Sequence, residues 1–198
     1  EIRRNLPLMI HSWTQFKKNQ ERWGVRKKWI GLLTLAQGWT MEEIVALLPK
    51  KDAIVLSELL KDEWKLSFQN HASLMASDFG WITSGTASLE AAYYQLPHIL
   101  VYKMNAFTVM ILKAISSYFR DPNAYAGLPN ILLEKRIIPE LLQSQLSPRR
   151  LAIETLDLLQ DAHRLDFIKK HLRWIPKKLG EPGVSGRIAE DLLKEWSR

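Results

Sequence analysis

GWITSGTASLEAAYYQLPHILVY, residues 80–102, decides how the rest of the chain is read. Trp81, Ile82 and Thr83 make a short apolar, β-prone run, and Ser84-Gly85-Thr86 interrupts it. Ala87 to Tyr94 is helix-compatible, Pro97 closes that segment, and a second β-prone run follows from His98 to Tyr102. Strand, tight turn, helix and strand form one βαβ unit, so the two strands are expected to be parallel. The turn then lies at the carboxyl end of its strand and the amino end of its helix. Free backbone N–H groups and the helix dipole there favour an anion, phosphate above all. Gly85 lets a ligand approach the backbone, and Ser84 and Thr86 add hydroxyls. Glu90, four residues after Thr86, falls on the same helix face. A carboxylate there repels a phosphate at contact distance but suits a ribose diol slightly further out. The same residues also fit an ordinary αβ turn whose Ser and Thr only cap the helix.

Outward from this unit, the chain alternates strand and helix. Ile2, Leu6, Met9, Trp13 and Phe16 make one apolar stripe over residues 1–19, with the regular helix expected to start near Pro7. Glu21 to Lys28 is polar and basic and reads as a solvated face or a membrane-surface patch. Trp29 to Leu35 reads as a buried strand. Thr40 with Glu43 makes a capping box for a helix ending near Pro49. Lys65 to Phe68 is a further strand, and Ser73 to Ser77 a helical turn. The alternation predicts an α/β fold with a parallel sheet covered on both faces. Ligands in such sheets bind beyond the carboxyl ends of the strands, where Thr83 to Thr86 and Tyr102 to Met104 would lie. Asn105 to Phe119 is the most apolar helical stretch. Its stripe, with Phe107, Met110 and Ile111, suits a core or interdomain contact, or lipid acyl chains. From Pro139 onward the expected elements are helices over 139–143, 148–160, 162–175 and 184–196, with Gly180, Pro182 and Gly183 as a hinge.

The totals bound the function. In 198 residues the chain can bury a sizeable core, and zero cysteines exclude disulfides and thiolate chemistry. A formal charge of +7 asks for an acidic partner without choosing among nucleotide, anionic lipid and nucleic acid. No stretch reaches the ~18 uninterrupted apolar residues of a membrane span. His11, His71, His98, His163 and His171 have no metal-ligand spacing and read as structural or solvated.

Several blocks, in order, carry a resemblance: SGTASLE (84–90), Leu96-Pro97, YKM (102–104), LPN (128–130), ELLQ (140–143) and the G-x-x-x-R-x-A-E of residues 183–190. Together they resemble the carboxyl-terminal half of bacterial lipid-A-disaccharide synthase, a two-domain GT-B glycosyltransferase. The resemblance implies a Rossmann-like parallel sheet flanked by helices over residues 1–143, and a helical carboxyl-terminal extension over 144–198. It implies that a strand, a glycine-containing loop and an amino-terminal domain belong upstream of Glu1, and that the general base resides in that domain. Ser84, Gly85 and Thr86 are then expected at the donor diphosphate, Glu90 at the ribose, and Asn130 at nucleotide or sugar. The expected donor is UDP-diacylglucosamine, transferred with inversion to 2,3-diacylglucosamine 1-phosphate, with no metal or other cofactor. Further expectations are a peripheral location on the inner face of the bacterial inner membrane and a homo-oligomer that exchanges carboxyl-terminal helices. No nucleic-acid partner is expected. The contrasting expectation is a basic, non-catalytic module of the same fold that binds anionic lipid or RNA.

Overall fold

The computed structural model describes residues 1–25, 27–83, 85–103 and 125–196. The Asn105 to Phe119 stretch, with Phe107, Met110 and Ile111, lies outside the described residues.

The fold is α/β, with parallel strands flanked by helices. Helix α1 spans Ile2–Arg22 and begins before Pro7, not at it. The preceding N–H groups of Arg4 and Asn5 bond to the Glu1 carbonyl, so the first turn closes without any contribution from Pro7. Strand β1 (Gly31–Thr34) follows, then α2 (Met41–Leu47) and α3 (Lys50–Asp62). The capping box forms as expected: Glu43 N–H donates to Thr40 Oγ1 at 3.3 Å and Thr40 N–H to Glu43 Oε2 at 2.9 Å. Strand β2 (Trp64–Ser67) pairs in parallel with β1. Gly31 is required there, because an added Cβ would lie 2.5 Å from the Trp64 ring.

Helix α4 (Asn70–Ala76) leads to the central unit of β3 (Gly80–Thr83), α5 (Thr86–Tyr93) and β4 (His98–Tyr102). The two strands are parallel, with Trp81 opposite Ile99 and Thr83 opposite Val101. After α6 (Leu128–Leu132) comes β5 (Glu140–Leu142), parallel to β4. This corrects the helix expected from Pro139 to Gln143. Glu-Leu-Leu-Gln has helical propensity, but hydrogen bonding to β4 overrides a local preference worth tenths of a kcal/mol per residue.

Helices α7 (Pro148–Gln160), α8 (Ala162–Leu172), α9 (Ile175–Leu179) and α10 (Val184–Trp196) complete the chain. The expected single helix over 162–175 is two, parted at Arg173 and Trp174, where Pro176 lacks the N–H that would continue the ladder. One core packs β4 and β5 against Leu151, Leu158, Ile168, Leu172 and Ile175. A second packs α1, α2, α3 and β2 around Trp13, Phe16, Ile44, Leu56 and Trp64, with Ala152 and Leu156 of α7. Trp81 touches both. The strands do not form one continuous sheet among the described residues: β1 and β2 make one, and β3, β4 and β5 another.

Candidate functional site

The turn after β3 sits at the carboxyl edge of its sheet. Gly85 adopts φ +117°, a conformation that side chains resist, and no described residue beyond its chain neighbours comes within 4 Å of where a Cβ would sit. It is the N-cap of α5 and provides no side-chain cap. The backbone N–H groups of Gly85, Thr86 and Ala87 have no partner among the described residues. Ser88, fully buried, fixes the turn from behind by donating from Oγ to the Gly85 carbonyl at 3.0 Å. Unpaired amides, a positive helix end and no blocking Cβ make an anion-accepting surface. Ser84 lies outside the described residues.

Thr86 is exposed and Glu90 is half-buried one turn further on. Both line a cleft of about 280 Å³ with His71, Leu89, Tyr93, Tyr94 and Leu179. Glu90 therefore faces a cleft and not the interior. Its Oε2 accepts a hydrogen bond from Asn70 Nδ2 at 2.8 Å, which orients the carboxylate from the start of α4. Tyr94 OH and His71 Nδ1 lie 3.1 Å apart and close the wall beside it. Sequence reasoning missed Asn70. Its separation of 20 residues from Glu90 leaves no local signal.

Asn130 is not placed to meet a ligand, which corrects the expectation for LPN. It is fully buried, and its amide is fully engaged. Oδ1 accepts from Ile137 N–H at 2.8 Å and Ile138 N–H at 3.0 Å. Nδ2 donates to the Ile138 carbonyl at 2.9 Å and to Glu140 Oε1 at 2.8 Å. The Glu140 carboxylate also accepts from the N–H groups of Ala126 and Gly127. A polar knot thus ties the approach to α6 to the start of β5. An amide with two donors and two acceptor lone pairs in use has nothing left for a ligand.

The other end of β4 shows a further contact at the same edge. Tyr102 OH donates to Glu1 Oε1 at 2.8 Å, and that bond, with some burial, raises the phenol's pKa. Lys103 N–H donates to Asn5 Oδ1 at 3.2 Å, bringing the amino end of α1 to this edge. His98, at the opposite edge, is buried and neutral. Burial lowers its pKa to about 4, and Nδ1 pairs with the Leu96 carbonyl at 2.7 Å. Among the described residues no group of three or more His, Cys, Asp or Glu side chains could hold a metal ion.

A parallel sheet flanked by helices is the fold that the resemblance implied. The family model for Lipid-A-disaccharide synthetase matches residues 27–181. The chain belongs to this family. Curated lipid-A-disaccharide synthases resemble it along most of its length. That of Sulfurihydrogenibium sp. is 36% identical over 142 residues, 71% of this chain and 35% of the relative. That of Persephonella marina is 35% identical over 157 residues, 79% of this chain and 39% of the relative. That of Cupriavidus pinatubonensis is 40% identical over 127 residues, 63% of this chain and 30% of the relative. The chain therefore spans about a third of the length of the curated lipid-A-disaccharide synthases it matches. Among its described helices none is long and apolar enough to cross a membrane.

Proposed function

We propose that this chain is the donor-binding part of a lipid-A-disaccharide synthase that transfers diacylglucosamine from UDP to 2,3-diacylglucosamine 1-phosphate. The observation that carries the reading is that the N–H groups of Gly85, Thr86 and Ala87, without a partner among the described residues, lie beside a cleft lined by Glu90. The amides and the dipole of α5 take the diphosphate, and Ser84 adds a hydroxyl. The Glu90 carboxylate, held by Asn70, accepts the ribose hydroxyls. In the reaction the acceptor hydroxyl forms a bond to the anomeric carbon on the face opposite UDP, and the bond to the β-phosphate oxygen breaks. This inverts the centre. The hydroxyl proton passes to a base in the amino-terminal domain. The turn's amides stabilise the negative charge that collects on the leaving diphosphate, so this half assists departure as well as binding. Turnover requires the rest of the enzyme, at the inner face of the inner membrane where lipid substrates reside. We also propose that a second copy covers the exposed stripe of α10, each copy lending its helix to the other.

Calorimetric titration with UDP tests the donor site. Weak binding is expected, and Glu90→Ala should lower it ~10-fold or more, the range for a hydrogen bond to a charged group. Asn70→Ala should have a smaller effect in the same direction. The corresponding 2′,3′-dideoxyuridine diphosphate should bind weakly to the parent chain and lose nothing further on Glu90→Ala. Equal losses for both nucleotides would remove Glu90 from the ribose site. A flat titration at millimolar UDP would overturn the donor assignment.

A further inference from the structure

We infer that α8 and α9 present a docking ridge for an anionic lipid surface, built from Phe167, Trp174 and Leu179 set among cations. Ile168, Leu172 and Ile175 recur at helical spacing and are buried, so one side of this segment faces the core. Phe167, Lys170, His171 and Trp174 recur at the same spacing on the outer side. Phe167, Trp174 and Leu179 are exposed there, and Trp174 is 56% exposed. A single apolar side chain on a surface needs no explanation, but these form a row. Each ring also carries a cation: Lys135 Nζ lies 5.1 Å from the centroid of Phe167, and Lys177 Nζ 4.7 Å from that of Trp174. His171 completes the row, its ring 4.1 Å from that of Phe167 and its Nε2 3.3 Å from Lys135 Nζ.

Charge marks the same ridge. Residues 162–179 hold six Lys or Arg and one acidic residue, Asp166, so most of the chain's net charge of +7 sits in this segment. Asp166 pairs with Lys170 at 2.8 Å. Lys169, Arg173, Lys177 and Lys178 are exposed and form no salt bridge among the described residues. Like charges crowded without counter-ions repel one another, and an anionic plane relieves the whole row at once. Cations in the last turns of α8 and α9 also suit the helix dipoles, but that asks nothing of the aromatic rings beside them. The headgroup layer of a bilayer suits both: the rings enter it while the ammonium groups stay level with the phosphates. A single-stranded nucleic acid would instead stack on ring faces. One face of Phe167 and one of Trp174 are already taken by lysines, which favours lipid.

The ridge also fixes how the chain sits on the surface. Helix α9 lies against α5 and α6, and Leu179 at its end lines the cleft that holds Glu90. A bilayer bound by the ridge therefore borders the mouth of that cleft. A donor with acyl chains then reaches the cleft while its chains stay in the bilayer. This consequence, unlike the docking itself, rests on the donor reading.

Vesicle sedimentation tests the docking without any nucleotide, so its failure would leave the donor reading untouched. The 198-residue chain is mixed with vesicles of phosphatidylcholine alone, or of phosphatidylcholine with an equal part of phosphatidylglycerol. Binding is expected to the mixed vesicles only, and it should weaken as salt is added. Lys177→Ala/Lys178→Ala should weaken it ~25-fold, at ~5-fold for each cation near an anionic surface. Trp174→Ala should weaken it ~5-fold or more and leave the salt dependence unchanged, because the ring's share is apolar. Lys50→Ala/Lys51→Ala removes the same charge from α3 and should cost less than ~3-fold, since screening confines the attraction to cations near the surface. All these side chains are exposed, so the fold is kept. Four results would overturn the inference. The first is no binding to the mixed vesicles, and the second is an equal loss from the two lysine pairs, which would leave only net charge. The third is binding that survives the changes at 174, 177 and 178 but is lost on removing residues 181–198, which would place the contact on α10. The fourth is displacement of the vesicles by polyuridylate with no effect of Trp174→Ala, which would assign the ridge to nucleic acid.

Discussion

Replacing Asn130 with alanine separates a structural role from a ligand role, because the two predict opposite observables. The substitution leaves the N–H groups of Ile137 and Ile138 buried without their acceptor, and the Ile138 carbonyl without a donor. Each unsatisfied buried group costs about 1–3 kcal/mol. The Glu140 carboxylate keeps its bonds from Ala126 and Gly127, so its loss is partial. Relaxation and water entry offset some of the total, and about 3–5 kcal/mol is a reasonable sum. That is a large share of the roughly 5–15 kcal/mol that holds a domain folded. With a urea slope of about 2 kcal/mol per molar, the unfolding midpoint should fall by about 2 M. Unfolding followed by circular dichroism gives the midpoint, and UDP titration of the folded fraction gives the affinity. UDP affinity should stay within about twofold, since the amide has no spare hydrogen-bonding capacity. Asn130→Asp sharpens the contrast, because it sets a second carboxylate against Glu140 and should destabilise more at pH 7 than at pH 5. A midpoint shift below about 0.5 M, which is ~1 kcal/mol on that slope, together with a clear loss of UDP binding would refute the reasoning.

His98 in the fold takes up its proton only at about pH 4, whereas an unfolded chain does so near the ordinary value of 6.5. The stability that its neutral form contributes is therefore complete above pH 6.5 and is lost as pH falls toward 4, by roughly 3 kcal/mol. In His98→Asn, thermal or urea unfolding between those pH values should show a flatter pH dependence. Thr40→Ala and Ser147→Ala each remove an N-cap acceptor and should cost about 1 kcal/mol in chemical unfolding, more for Thr40, whose cap is reciprocal. Removing residues 181–198 should leave the unfolding midpoint unchanged, because every residue described there is exposed, but sedimentation should show fewer dimers.

Where structure depends on neighbours in sequence, the reading from residues alone succeeds. Thr40 and Glu43 form their box three residues apart, and Ser147 caps the helix that Pro148 opens. The βαβ unit from Gly80 to Tyr102 has its expected order and direction because turn, helix and strand signals lie within 23 consecutive residues. Residues 139–143 fail by the same logic. Their local preference is helical, and only the distant β4 makes them a strand. Helix α3 also went unread: Pro49 ends one helix and caps the next, and a proline seen from sequence signals the stop more plainly than the restart.

The site divides along the same line. Gly85 and Glu90 belong to one turn and one helix, and their relation follows from helical spacing. Asn70 reaches Glu90 only because β2 and β3 bring α4 and α5 side by side. The LPN block exposes a more specific hazard. A buried Asn with four hydrogen bonds and an Asn presented to a nucleotide have the same sequence signature, since a hydrogen-bonding amide in a fixed place serves both. What separates them is the partner, and here the partner is Glu140, ten residues away on a strand that sequence alone assigns to a helix. The misread strand and the misread asparagine are thus one error. Without β5 there is no buried carboxylate and no pair of free amides for Asn130 to satisfy, and a ligand becomes the natural explanation for its amide.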